Sequence, residues 1–449
     1  MLRSASLRIG LAAILSTLVW SSSLPAESAP LRTFYVATTG DDTAAGSAAS
    51  PWRTLQRAAR DVQPGDLIVV RPGRYTGFVL GWDGPQNGTA ANPIVFQGEP
   101  GATIESRNLR TADGINLEGA SYIVIEGFAV QNGGTITRAG IRSVTNHHVV
   151  IRNNQIDNAG RWGILTGFSD DVTIENNVTS RSQIEHGIYV SNACVNAVVR
   201  NNHVWGNAAN GIHMNGDLSQ GGNGLILNAL VEKNVIYDNG RSGGSGINGD
   251  GLKNSRILNN VLYNNHASGI SLYRIDGADG AKNNLVAHNT ILMASDGRWA
   301  LNIQNGSTGN RVRNNVLYNS HSFRGSIDIS ADSLAGFTSD YNVVMERFTA
   351  DGGTVWNLAQ WRQNTGQDQH SLVALPAALF VNAAGNDYHL TATSGARDAG
   401  TILSDVTVDR EGTVRPMGST SDIGAYEFRS TTDTTPPVAP RRFRLLRIQ

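Results

Sequence analysis

A short phrase, Gly-Ile-x-x-x, returns roughly every 23 to 26 residues through the middle of the chain. Its copies begin at Gly114, Gly140, Gly163, Gly187, Gly211, Gly246 and Gly269, with degenerate copies at Ala300 and Ser326. Each is followed by a second apolar run that enters an asparagine. Those asparagines form one column: Asn154, Asn177, Asn202, Asn234, Asn260, Asn289 and Asn315. A unit this short, made of period-2 strands and Gly/Asn turns, cannot bury its own apolar side, but stacked units can. Ile115, Ile141, Ile164, Ile188, Ile212, Ile247, Ile270, Leu301 and Ile327 then form one inner row. The asparagines suit an inward polar ladder, each amide bonding to its neighbour, at corners where Asn tolerates left-handed backbone. A helical solenoid needs longer apolar stretches at 3.6-residue spacing, which are absent. Propeller repeats are nearly twice as long. The pattern predicts an all-β chain: a single-stranded, right-handed parallel β-helix.

The rest of the chain is read against that solenoid. Residues 1–28 place Arg3 and Arg8 ahead of the apolar run "IGLAAILSTLVW", followed by small residues, which is the pattern of a secretory signal peptide. The apolar run is too short for a membrane span. The expected location is therefore extracytoplasmic. The formal net charge of −1 gives no basis for nucleic-acid binding. One cysteine, Cys194, excludes an intramolecular disulfide, so the ladder must hold the fold. A monomer is expected.

Residues 29–93 read as an entry module. The segment "PWRTLQRAARDV" is an amphipathic helix that would cap the open end of the stack, where an uncovered coil is a template for strand pairing. The β-helix proper spans 94–428, and 429–449 is a Thr/Pro-rich linker with a basic tail. The entry stretch "TFYVATTGDDTAAGSAASPWRTLQRAARDVQPGDLIVVRPGRYTG" and the closing phrase "SDIGAYEF" resemble those of secreted β-helix proteins of the pectate-lyase superfamily. That resemblance implies the fold and a glycan partner. It does not imply a particular reaction.

Alternation along the first strand of each coil defines two outward columns. One runs Asn116, Arg142, Leu165, Tyr189, His213, Asn248, Ser271, Asn302, Asp328. The other runs Glu118, Val144, Gly167, Ser191, Asn215, Asp250, Tyr273, Gln304, Ser330. His186, Asp217, Lys253, Arg274 and Asp276 lie at the ends of the same strands. The face becomes dense in aromatic, amide and titratable groups from Tyr189 onward. The steps from Ile212 to Ile247 and from Ile270 to Leu301 are also longer than the others there. Insertions of that kind build binding walls.

These residue types match β-elimination from a uronic-acid polymer. That reaction requires a neutralised carboxylate, a base at C5 and an acid for the leaving oxygen. His213 is the expected base, with Lys253 the alternative, and Tyr189 or Tyr273 the expected acid. His186, Asn215, Asn248, Arg274, Asn302 and Gln304 are the expected substrate-binding groups. Calcium, if used, would take oxygens from Asp217, Asp250 and Asp276. Calcium is the one cofactor the residues suggest, and they leave it open. Hydrolysis would need Asp217 and Asp250 to flank one bond, and a uronate C5-epimerase would share the proton abstraction. A non-enzymatic glycan-binding β-helix explains the repeat and the export equally well.

Overall fold

The computed structural model describes residues 29–430. Residues 1–28, where a signal peptide is expected, and residues 431–449 of the expected tail lie outside the described residues. About twelve coils wind into three long parallel sheets of 12, 11 and 12 strands, each strand pairing with its counterpart in the next coil. The Gly-Ile phrases supply the 11-stranded sheet. Its register runs Ile115, Ile141, Ile164, Ile188, Ile212, Ile247, Ile270, Leu301, Ile327, as the repeat predicts, and continues to Phe348. All of these side chains are buried, and together with the other two sheets' inner rows they make one continuous core. Cys194 is packed in it.

Steric packing explains the glycine that opens seven of the nine copies. A Cβ on Gly163 would lie 2.5 Å from the carbonyl oxygen of Gly187, and one on Gly269 would lie 2.4 Å from that of Ala300. Successive coils approach so closely at this corner that a side chain must be absent or the backbones must part. The asparagine ladder also forms. The amide of Asn234 accepts from the backbone N–H and Nδ2 of Asn202, and its Nδ2 donates to the Val199 carbonyl and to Asn260. The same pattern continues to Asn342. One detail differs from expectation. The left-handed residue at the corner is the one before the ladder asparagine: Asn153, Asn176, Asn201, Lys233, Asn259, His288 and Asn314. The ladder residue itself stays on the right-handed side, which leaves its amide pointing along the stack.

A helix forms at Leu55–Asp61, capped by Thr54, and buries Leu55, Ala58 and Ala59 against the first coils. At the other end, the 11-stranded sheet finishes at Phe348–Thr349 and one of the 12-stranded sheets at Leu372–Val373. The "SDIGAYEF" segment does not close the stack as a strand. It lies on the flank, where the N–H of Ala425 donates to Thr290 and Ile423 packs in a cluster with Val261, Val316 and Tyr388. Asp422 and Glu427 are buried there, and Glu427 pairs with buried Arg415. Among the described residues, no helix is long and apolar enough to cross a membrane.

Candidate active site

Strands Ile188–Asn192, Ile212–Gly216, Ser245–Asp250 and Ser268–Tyr273 of the 11-stranded sheet carry the predicted face. Their register places Tyr189 beside His213 and His213 beside Asn248. It also places Asn215 beside Asp250 and Asp250 beside Tyr273. The outward columns are therefore those expected.

The rings of Tyr189 and His213 stack at 5.0 Å with 14° between planes. His186 stands across them, 4.6 Å from His213 and near-perpendicular to it. Its Nε2 is 3.0 Å from Nδ1 of His213. On the far side, Nδ1 of His186 lies 3.3 Å from both the backbone N and the side-chain Nδ2 of Asn210. His186 sits two residues before an inward isoleucine, where strict alternation points a side chain inward. Instead its ring joins the outer face. Burial holds both imidazoles neutral: His186 is lowered to about 3, with Arg161 adding to the effect. His213 falls well below its ordinary value, with His186 the second cause.

Two tyrosine–asparagine pairs flank the histidines. Asn215 Nδ2 donates to the Tyr189 hydroxyl oxygen at 3.1 Å, and Asn248 is the neighbour that opposes the rise of the Tyr273 phenol. Burial raises Tyr189 to about 12, opposed in part by the Asn215 bond. It raises Tyr273 as well, with Asp250 the next cause. The Asn215 amide donor, expected to bind substrate, is thus engaged by a phenol. Between Tyr189 and Tyr273, the buried atoms left without partners are His213 Nε2, Asn215 Oδ1 and Asn248 Oδ1. These three atoms, on two adjacent strands, are the polar groups of this stretch that its own side chains leave unengaged.

Other expected residues fall elsewhere. Lys253 belongs to a separate three-stranded sheet, and its Nζ is 3.1 Å from Asp279. Arg274 lies just beyond Tyr273 and is exposed, and its carbonyl accepts from Asn305. Asn302 and Gln304 bond to each other at 3.1 Å farther along the sheet. The three aspartates do not fit a calcium site. The carboxylate of Asp250 accepts the backbone N–H groups of Ile275, Asp276 and Gly277, while Asp217 caps Ser219. Among the described residues, no three His, Cys, Asp or Glu side chains gather where a metal could be held.

Sequence reasoning missed Asn210, Glu185 and Trp162. The Trp162 Nε1 donates to Glu185 at 2.6 Å, and Glu185 Oε2 lies 3.5 Å from His186 Nε2. The available signal was the column just before each glycine, which holds Trp162, His186 and Asn210. A separate recess of about 320 Å³ opens on another sheet beside Tyr237, Tyr263 and Tyr388. There the Tyr237 and Tyr263 rings stack on each other at 4.7 Å, so those faces are already covered.

The comparisons with known proteins agree on the fold. Residues 34–183 match the family model described as the Pel9A-like, right-handed β-helix region. An uncharacterized protein of Bacillus subtilis (strain 168), YwoF, is 25% identical over 446 residues, covering 81% of this chain and 92% of its own. The crystal structure of pectate lyase Pel9A superposes with a TM-score of 0.63 at 16% identity, over 89% of this chain and 97% of that one. That of an alginate lyase from Paenibacillus sp. str. FPU-7 does so with a TM-score of 0.50 at 19% identity, over 66% and 97%. At these identities the solved structures speak to fold alone. The chain is a right-handed parallel β-helix, and its residues 34–183 match the Pel9A-like model.

Proposed function

We propose that this protein is an exported, carbohydrate-active β-helix that cleaves a uronic-acid polymer by β-elimination on the Tyr189–Tyr273 face. The observation that carries the reading is the row of unpartnered buried atoms, His213 Nε2, Asn215 Oδ1 and Asn248 Oδ1, between two tyrosines. The two amide oxygens are acceptors and suit sugar hydroxyls. Fold likeness to a pectate lyase and an alginate lyase supports the substrate class as an analogy.

In the reaction the C5 proton leaves to a base, the C4–O bond breaks, a C4–C5 double bond forms, and the departing oxygen takes a proton. Lys253 is held by Asp279 and does not reach this face as the base. Tyr189 suits the task. Its oxygen receives the Asn215 amide, the one bond that favours its phenolate. Once protonated, it can return that proton to the leaving oxygen. Tyr273 is the second hydroxyl of the face, beside Asp250.

A second reading, glycan binding without turnover, is favoured by one observation: every imidazole and phenol in the cluster is held in its neutral form. The test is the ultraviolet absorbance of unsaturated uronate ends while the mature protein meets a panel of pectic, alginate and glucuronan polymers. A rise on one polymer supports elimination and names the substrate. Binding without a rise supports the second reading.

A further inference from the structure

The two buried histidines admit one arrangement of protons. The side-chain oxygen of Asn210 accepts the backbone N–H of Ser245 at 2.6 Å, which fixes the orientation of its amide. Its Nδ2 therefore faces His186, as does its backbone N–H, and both meet the same ring nitrogen, Nδ1. A nitrogen that faces two donors carries a lone pair. The single proton of neutral His186 is then on Nε2. The two groups near Nε2 agree: Nδ1 of His213 at 3.0 Å and the Glu185 carboxylate at 3.5 Å, each able to accept. Since His186 Nε2–H donates to His213 Nδ1, that second nitrogen is also a lone pair. The proton of neutral His213 must sit on its remaining nitrogen, Nε2, which is the atom left without a partner.

We infer that His213 presents an N–H donor to the face rather than a lone pair, and that His186 is the positioning residue that fixes it so through Asn210. The expectation that His213 is the base does not survive this relay. Protonating His213 would set an N–H at Nδ1 against the N–H of His186 and break the bond between them. The relay instead suits a neutral donor to an anionic oxygen. Resting on the lyase reading, that oxygen belongs to the uronate carboxylate, whose charge grows as C5 loses its proton. No reorganisation is needed when the charge appears, because the donor is held in place beforehand.

The test needs no substrate, so it stands apart from the lyase reading. Long-range ¹H–¹⁵N correlation spectra of histidine-labelled full-length mature protein at neutral pH assign the tautomer of each ring, with His213→Asn and His186→Asn spectra identifying the two residues. The expected result is a protonated Nε2 and a bare Nδ1 on both. A His213 ring protonated on Nδ1, or averaging between tautomers, overturns the inference. His186→Gln, whose amide can still donate to His213 Nδ1, should keep the His213 pattern. His186→Phe should release it into tautomer exchange, and an unchanged His213 pattern in that variant overturns the positioning role. A uronate trisaccharide should then shift the His213 Nε2–H resonance if the lyase reading holds. A fixed tautomer with no shift would contradict that reading and leave the relay standing.

Discussion

Nε2 of His186 and Nδ1 of His213 lie 3.0 Å apart, joining two imidazoles from adjacent coils whose planes are 88° to each other. Both rings are buried and neutral, and that state ties fold stability to pH. In the folded chain His186 is lowered to about 3 from 6.5, chiefly by burial. Protons therefore bind the unfolded chain more readily, and stability is full above about pH 6.5 and falls as the pH drops toward 3. Urea midpoints should decline across that window in the wild type and decline less in His186→Asn. Equal slopes for the two proteins would contradict the buried neutral pair.

Asn234→Ala should destabilise the helix by at least ~3 kcal/mol. The substitution removes the acceptor of the Asn202 backbone N–H and Nδ2 and the donor to the Val199 carbonyl, while Asn260 keeps the Asn234 backbone N–H; each buried orphan costs ~1–3 kcal/mol. Denaturant unfolding measures it, and a loss below ~1 kcal/mol would show that the ladder relaxes or admits water.

Gly163→Ala tests the close approach of coils. Its Cβ would meet the Gly187 oxygen at 2.5 Å, and backbone cannot yield as a side chain tip can. We expect ~2 kcal/mol or more of destabilisation, at the upper part of the range for overpacking. A variant as stable as the parent would mean that the corner has slack.

If Tyr189 takes the proton, turnover should rise with pH through the alkaline range. Burial raises its phenol to about 12, with Glu185, Asp217 and Asp276 adding to the rise and Asn215 opposing it. The phenolate fraction below that value grows with pH. Asn215→Ala should move the profile to higher pH, and Tyr189→Phe should abolish turnover. A rate independent of pH between 7 and 10 would remove Tyr189 from the base role.

The fold was legible because its determinants repeat. The Ile212 column, the Asn234 ladder and the outward pairing of Tyr189 with His213 all follow from period-2 alternation at fixed coil spacing. What alternation does not carry was missed or misplaced. His186 turns outward at its glycine and joins His213. Lys253 falls on a small sheet of its own, bonded to Asp279. Asp250 is engaged by backbone N–H groups from the Ile275–Gly277 turn. The "SDIGAYEF" segment packs sideways, because its buried Asp422 and Glu427 find partners on the flank rather than in a ladder. Hydrogen-bond direction also lies beyond a sequence. Asn215 was expected to bind substrate, but its amide donor is engaged by Tyr189.

The most direct measurement is the rate of unsaturated-end formation by His213→Ala beside the wild type and Lys253→Ala, on the polymer that the wild type cleaves. The account predicts turnover lost in His213→Ala with far-ultraviolet circular dichroism unchanged, and turnover retained in Lys253→Ala. Full activity in His213→Ala, or loss confined to Lys253→Ala, would contradict a reaction centred on the Tyr189–Tyr273 face.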